Sequence, residues 1–391
     1  MDLKLTPAVL RGAVTPPPSK SYSHRALIAA ALAGAGSELT GLADSQDIAA
    51  TRRCLEALAL PGGGSPLLDC GESGSTLRFL IPVALALRGG ARFTGRGRLM
   101  QRPQKPYFDL FEEKGICYEQ RDGILTVRGE LTSGTYRLPG DVSSQFVTGL
   151  LYALPLLPQG ESEIVLTSPL ESRAYVDMTV EVMEQFGVSV EETAAGWRIP
   201  GAQRYRPHAL TIEADWSQAG FFYAAVGLGA ELEIRGMNPH STQGDRCIVP
   251  CHETLCRSGD VELDVSQCPD LVPPLAVHAA VRTGTTRIVN AARLRIKESD
   301  RLATVTQVLG ALGADITEGE DYLVIRGQPS LSGGAVVSAH NDHRIAMMTA
   351  VAATRCQEPV VLTGAECVAK SYPNFWEEYA RLGGRFEEVT P

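Results

Sequence analysis

The sequence predicts an α/β protein of two similar halves, each holding three helix-plus-sheet units whose helices are buried. Short turns rich in Ser, Asp and Gly precede Ala/Leu-rich helices at six places, near residues 20, 73, 143, 215, 270 and 342. Their intervals are 53 and 70 residues in the first three and 55 and 72 in the last three, so the chain repeats itself from a boundary near 215. The segments KGICYEQRDGILTVRG (114–129), FGVSVEETAAGWRIPG (186–201) and LGADITEGEDYLVIRG (312–327) share a second plan, with glycines fourteen apart at 115/129, 187/201 and 313/327. In each, the first Gly ends a helix and two short strands follow around a polar turn. A length of 391 residues exceeds one ordinary core and suggests two domains.

The first helix begins in PPPSKSYSHRALIAAALAG (16–34), with Ser19 or Ser21 as N-cap and Lys20, His24 and Arg25 in its first turns. A helix start leaves about four N–H groups unpaired and carries roughly half a positive charge, so these residues strengthen an existing attraction for anions. Helices such as ALIAAALA and FFYAAVGL are apolar on nearly all faces and belong inside their half, with the hairpins outside, the reverse of the usual α/β barrel. If both halves aim their helix starts at a shared cleft, six dipoles converge on one anionic ligand.

The other helix starts carry matching chemistry. GESGSTLR (71–78) admits a phosphate close to backbone N–H groups and adds Arg78, but lacks the Lys-Ser/Thr ending of a nucleotide P-loop and the dinucleotide fingerprint. RGRLMQRP (96–103) holds three arginines, and DVSSQ (141–145) sets two hydroxyls and an amide at the third start. RLRIKESDRL (293–302) places Lys297, Glu298, Asp300 and Arg301 within one and a half helical turns, with Ser299 as the cap in a purely structural reading. HNDHRIAM (340–347) brings His343 and Arg344, and AKSYPNF (369–375) presents Lys370 before a proline turn. Solvated charges would not track the repeats in this way.

A formal charge of −9 and a pI near 5.4 exclude general attraction to nucleic acid or acidic membranes, so anion binding must come from local Lys and Arg. Nine scattered cysteines and no charged-then-apolar leader point to a reducing, cytoplasmic setting. No apolar run reaches the roughly 20 residues of a membrane span. Cys247, Cys251 and Cys256, with His252 among them, are separated by three and four residues and match no standard zinc pattern, so no metal site is expected.

As an ordered set, SKSYSHR, GESGSTLR, RPQKPYFDL, VSSQF, KESDR, NDHRIAM and AKSYPNF resemble the EPSP synthase (3-phosphoshikimate 1-carboxyvinyltransferase) family along nearly the whole chain. The resemblance implies two inside-out α/β barrel domains, each of three βαβαββ repeats with buried helices, and a cleft between domains. One would span 19–213 and the other 1–18 with 214–391, the prolines at 16 to 18 lying at a hinge.

It also implies roles. Ser143, Ser144 and Ser172 would hold the phosphate of shikimate 3-phosphate, and Ser21, Arg25, Gln145, Tyr175 and Asp270 would orient its ring and carboxylate. Lys20, Arg102, Arg301, Arg344 and Lys370, with the backbone near Gly74, would bind phosphoenolpyruvate. In the addition and elimination that follow, Glu298 would protonate the methylene carbon and Asp270, assisted by Lys297, would take the hydroxyl proton. No metal or organic cofactor is implied, and the expected state is a monomer.

Two rivals remain open. The sister enolpyruvyl transferase acting on UDP-N-acetylglucosamine commonly carries a Cys in the loop corresponding to 95–103 and a Lys-Asn pair near its start, whereas this loop has no Cys and the start reads Lys20-Ser21. A non-catalytic anion-binding relative would have lost part of the acid/base set, yet Asp270, Lys297 and Glu298 are all present.

Overall fold

The computed structural model describes residues 1–61 and 64–389. The chain forms two compact units, one of Pro18–Ile212 and one of Met1–Pro17 together with the chain from Glu213 onward. Each has its own apolar core.

The Pro18–Ile212 unit contains α1 (Lys20–Ala33), α2 (Gln46–Ala59), α3 (Gly74–Arg88), α4 (Lys105–Lys114), α5 (Ser144–Ala153) and α6 (Arg173–Gln185). Strands Leu67–Asp69 and Gly90–Thr94 flank α3 and pair in parallel, and the hairpin Cys117–Arg121/Ile124–Arg128 after α4 adds to the second of them antiparallel. Around α5 and α6 the same plan recurs with Gly134–Leu138, Glu161–Leu166 and the hairpin Glu191–Thr193/Gly196–Pro200. Glu38–Thr40, between α1 and α2, pairs in parallel with Ala209–Thr211.

The other unit repeats this order with α7 (Trp216–Gly227), α8 (Ile248–Leu255), α9 (Val272–Ala279), α10 (Arg301–Ala311), α11 (His343–Ala353) and α12 (Phe375–Arg381). Val261–Asp264, Thr285–Val289 and the hairpin Asp315–Glu318/Leu323–Arg326 form one sheet. Val336–Ser338, Val360–Thr363 and Arg385–Glu388 form another, in which the N-terminal strand Leu3–Thr6 occupies the place of the missing hairpin partner. Arg11–Val14 pairs in parallel with Glu231–Ile234. Each unit thus carries two four-stranded βαβαββ sheets and one two-stranded sheet. Among the described residues the three sheets stay separate, so the strands do not close through hydrogen bonds into one continuous barrel.

The odd-numbered helices begin at the six places the sequence marks, and they are the interior ones. All eight residues of α9 and all eleven of α11 are buried, against three of seven in α12. α3 packs on α5, and α7, α9 and α11 pack on one another. Polar groups inside these helices tie them together. His24 Nδ1 meets Thr51 Oγ1 at 2.7 Å, Thr51 Oγ1 meets Thr76 Oγ1 at 2.6 Å and Thr76 Oγ1 donates to Ser73 Oγ at 2.7 Å, so α1, α2 and α3 share one hydrogen-bonded chain. Pro82 inside α3 lacks the N–H that the Arg78 carbonyl would normally accept from. The buried Tyr107 hydroxyl donates to that carbonyl instead, at 2.9 Å. No described helix is long and apolar enough to cross a membrane.

The glycine pairs have two separate causes. Gly115, Gly187 and Gly313 take φ of 68, 79 and 94°, the left-handed conformation that ends a helix. Gly129, Gly201 and Gly327 instead pass close to another stretch of backbone, donating to the carbonyls of Gly89, Gly160 and Gly284 at 3.0, 2.9 and 3.1 Å. A Cβ at Gly327 would stand 1.8 Å from the Arg282 carbonyl oxygen, whereas one at Gly310, on the exposed side of α10, would meet nothing nearer than 3.9 Å. In chemical denaturation, Gly327→Ala is therefore expected to lower stability by about 2–4 kcal/mol. Gly310→Ala is expected to raise it by about 0.5–1 kcal/mol. Equal effects at the two positions would contradict the close-approach explanation.

Candidate active site

In the Pro18–Ile212 unit, Ser19 rather than Ser21 caps α1, its Oγ accepting from Tyr22 N at 3.4 Å. Lys20 opens the helix with its Nζ 2.8 Å from Asp47 Oδ2, and both side chains are largely buried. Asp47 sits in the first turn of α2 behind its own cap, Ser45, where a carboxylate suits the helix dipole. Arg25 points inward instead. Its guanidinium donates to Thr179 Oγ1 at 2.9 Å, the Ser21 carbonyl at 2.9 Å and the Tyr175 carbonyl at 2.6 Å, and lies over the Phe79 and Tyr175 rings. Arg25 thereby fixes Ser21 on α1 against Tyr175 on α6.

Gly74 opens α3 behind its cap Ser73, and a Cβ there would lie 2.5 Å from Arg102 Nη1. The missing side chain therefore seats the Arg102 guanidinium over the helix start. Gln145 is held from both sides: Oε1 accepts from Arg78 Nη1 at 2.8 Å, and Nε2 donates to Ser75 Oγ at 2.9 Å. Arg78 also donates to the Pro103 carbonyl at 3.0 Å and is buried, which makes it a strut for Gln145 rather than an exposed cation. Ser143 caps α5 by accepting from Gln145 N at 3.3 Å, and Ser144 follows as its first residue. Ser172 precedes α6 in a left-handed conformation with φ 53°, a strain of about 1–3 kcal/mol for a residue with a Cβ. Gly140 joins the loops carrying these serines, its N–H donating to Ser168 Oγ at 2.9 Å and its carbonyl accepting from Glu171 N at 3.1 Å.

In the other unit, four sequence-marked residues, Lys297, Glu298, Arg301 and Arg344, come together around a fifth, Asp270. Its Oδ1 lies 2.8 Å from Arg301 Nη1 and 3.3 Å from Lys297 Nζ, and its Oδ2 lies 3.2 Å from Arg344 Nη2. Arg301 reaches three carboxylates at once, adding Glu298 Oε2 at 2.6 Å and Asp342 Oδ2 at 2.8 Å. It is almost wholly buried, and the three carboxylates hold its pKa above the ordinary arginine value against the opposing cost of burial. Asp342 is fully buried and also accepts from Ser299 Oγ and from Arg344 N at the start of α11. Lys297 shows the opposite balance: burial, followed by the cationic neighbours Arg301 and Arg293, outweighs Asp270 and Glu298 and lowers its pKa below 10.5.

The helical reading of residues 297–301 needs correction. A short 3-10 turn covers Ala292–Ile296, the chain then bends, and α10 begins only at Arg301. Asp300 is its cap, accepting from Ala303 N at 3.1 Å, because Ser299 is occupied with Asp342. The bend turns Lys297 and Glu298 toward Asp270 and Arg301. Lys370 donates to the Asn341 carbonyl at 2.6 Å, just before Asp342, where His340 and Asn341 are both left-handed at φ 52 and 53°.

Three contributors escaped the sequence reading. Asp47 partners Lys20, Asp342 anchors Arg301, and buried Asp245 accepts from Ser217 Oγ. Burial, then the neighbouring Asp270, raises the Asp245 pKa to about 6. Asp342 had a usable signal, since an acidic cap on a largely apolar helix is buried and a buried carboxylate needs a cation. The Pro18–Ile212 unit offers Lys20 and Arg102 as cations for an anion, and the other unit offers Arg344 and Lys370 together with Glu298, Asp270 and Lys297 as groups able to move a proton. The one group of metal-type ligands among the described residues, His252, Cys256 and His278, includes none of these side chains.

A family model described as EPSP synthase (3-phosphoshikimate 1-carboxyvinyltransferase) matches residues 5–62 and 63–379. The chain is 45% identical to the 3-phosphoshikimate 1-carboxyvinyltransferase of Clostridium kluyveri, covering 99% of this chain and 98% of that protein. It is 41% identical to the Clostridium beijerinckii protein of the same name, at 99% and 98% coverage. Among solved structures, an EPSP synthase from Acinetobacter baumannii superposes with a TM-score of 0.79 at 24% identity, covering 100% of both chains. The enolpyruvyl transferase NikO from Streptomyces tendae superposes with a TM-score of 0.78 at 20% identity, covering 100% of this chain and 99% of that one. These two likenesses show the fold.

The ion network separates an arginine held by three carboxylates from a lysine whose charge burial disfavours. Arg301→Met strands buried Asp342 and is expected to lower stability by about 3–5 kcal/mol. Lys297→Met removes a charge that folding disfavours, and Asp270 keeps Arg301 and Arg344. Because the folded pKa of Lys297 lies below 10.5, its charge opposes folding at neutral pH and that opposition fades as the pH rises toward 10.5. The expected result in denaturant titrations is that Lys297→Met is no less stable than the parent at pH 7. A loss comparable with Arg301→Met would overturn this division.

Proposed function

This chain belongs to the EPSP synthase family and is a transferase of the shikimate pathway, and on that premise we propose how its own residues divide the work. The reaction joins the 5-hydroxyl oxygen of shikimate 3-phosphate to C2 of phosphoenolpyruvate while a proton arrives at the methylene carbon. The tetrahedral intermediate then loses a proton from that carbon and expels inorganic phosphate, leaving the enolpyruvyl ether.

Ser143, Ser144 and Ser172 take the phosphate of shikimate 3-phosphate. Three hydroxyls at helix starts suit this work, because they donate hydrogen bonds in a field already favourable to anions. Ser21, Gln145 and Tyr175 orient the ring and carboxylate, with Arg25 and Arg78 behind them as positioning residues. Lys20, Arg102, Arg301, Arg344 and Lys370, with the backbone at Gly74, neutralise phosphoenolpyruvate. Asp270 receives the hydroxyl proton, and Lys297 at 3.3 Å compensates its charge and assists the transfer.

Glu298 delivers the proton to carbon and later takes it back. The observation that carries this assignment is that Glu298 and Asp270 share the Arg301 guanidinium, at 2.6 and 2.8 Å, with Lys297 also on Asp270. Two carboxylates with one cationic bridge give an acid and a base in fixed relation. Anionic substrates arriving here compete with Glu298 for Arg301 and favour its proton-carrying form, the form a carbon-protonating acid needs. The proposal extends to a monomer acting in the cytoplasm, and the net charge of −9 supports the absence of nucleic-acid and acidic-membrane partners.

The test is inorganic phosphate release with shikimate 3-phosphate plus phosphoenolpyruvate, with each alone, and with UDP-N-acetylglucosamine replacing the first. Release is expected with the first pair only. Glu298→Gln should lower kcat by about 10²–10⁴-fold with little change in KM. Gly74→Ala should push Arg102 aside and act mainly by raising the KM for phosphoenolpyruvate. Release with the UDP-sugar would assign the chain to the sister reaction, and no release from folded protein would favour the non-catalytic relative.

A further inference from the structure

We propose that His252, Cys256 and His278 form a binding site for a thiophilic divalent cation, zinc by preference, separate from the residues given roles above. One ligand atom from each lies within 4.8 Å of the other two. Cys256 Sγ and His252 Nε2 are 3.5 Å apart. A tetrahedral zinc, with bonds of about 2.3 Å to sulfur and about 2.0 Å to nitrogen, holds such a pair about 3.5 Å apart.

The fold assembles this group from two helices, with room made by the end of a third. α8 carries His252, and Cys256, four residues on, caps the end of the same helix, so the two share one face. α9 packs on α8 and supplies His278, whose ring centroid is 5.2 Å from that of His252. Space for the His278 ring exists because α7 ends in Gly227, where a Cβ would stand 2.3 Å from His278 Nε2.

Aromatic packing alone is the competing explanation, since Tyr223 also stands edge-on to His252 with centroids 5.5 Å apart. Packing alone does not require the Cys256 thiol to stand 3.5 Å from His252 Nε2, beside a second imidazole. The accessibility is that of a metal site: His278 is buried, His252 half-buried and Cys256 exposed, which leaves an entry path and a fourth position for water. Binding would release the Cys256 thiol proton as the thiolate forms. The sequence hides the site because His278 stands far from the other two and the spacing follows no standard zinc motif.

The test uses the reduced, metal-free full chain titrated with Co²⁺ and then Zn²⁺. The expected result is one saturable equivalent, with a thiolate-to-cobalt charge-transfer band in the near ultraviolet that zinc abolishes. Loss of an outer-sphere partner alone weakens metal sites by about 10–100-fold, so Cys256→Ser and His252→Gln should each weaken binding by at least about 100-fold. Cys256→Ser should also remove the band while phosphate release stays normal, which shows that the variant is folded. Cys251→Ala should keep both band and affinity. No saturable band in the parent chain, a band that survives Cys256→Ser, or one lost in Cys251→Ala would overturn the proposal.

Discussion

A guanidinium sealed from water among three carboxylates holds together the helix starts of the unit formed by Met1–Pro17 and the chain from Glu213 onward. Arg301 bonds to Asp342 on one side and to Asp270 and Glu298 on the other. Without the cation, those acids would face the desolvation cost of buried negative charge and would protonate or move apart. Without the acids, Arg301 could not be buried. The start of α11, the start of α10 and the bend before it are therefore held in one arrangement, and that arrangement sets the proposed acid and base at a defined separation. Lys297 contributes little to this frame, because its charge is disfavoured by burial, which fits the assisting role proposed for it.

The Pro18–Ile212 unit uses buried arginines differently. Arg25 and Arg78 spend their donors mostly on carbonyls and side-chain oxygens, so they act as rigid connectors between helices. The groups they position, Ser21, Tyr175 and Gln145, are uncharged hydrogen-bonding residues at helix starts. Lys20 beside Asp47 and Arg102 over Gly74 remain as the cations suited to an arriving anion. Of the basic residues that track the repeats, some are thus anchors between helices and others pair with a nearby carboxylate or sit over a helix start, and the sequence pattern does not distinguish them.

Much of the architecture was legible because it rests on local rules. A polar cap followed by an apolar run marks a buried helix, and α1, α3, α5, α7, α9 and α11 begin where those runs begin. A helix-ending glycine followed by a polar turn marks a hairpin, and all three copies form one. What local rules do not reach is contact across the fold. Asp342 and Arg301 are separated by forty-one residues and His252 and His278 by twenty-six, and no spacing announces either pair. The cap of α10 is hidden for the same reason: Ser299 looks like a cap until Asp342 takes its hydroxyl, and Asp300 caps instead. The open arrangement of the sheets, with only two strands in one sheet of each unit, also depends on pairings that no single segment encodes.

The dependence on Arg301 is tested most directly by a double-mutant cycle on Arg301 and Asp342, read as unfolding free energy. Arg301→Met and Asp342→Leu should each be strongly destabilising, because each leaves its partner buried and unpaired. The combined variant should recover at least about 2 kcal/mol relative to the sum of the two, since neither charge is then stranded. Additive losses would mean that the two residues stabilise the fold independently and that the guanidinium is not the element on which this site is built.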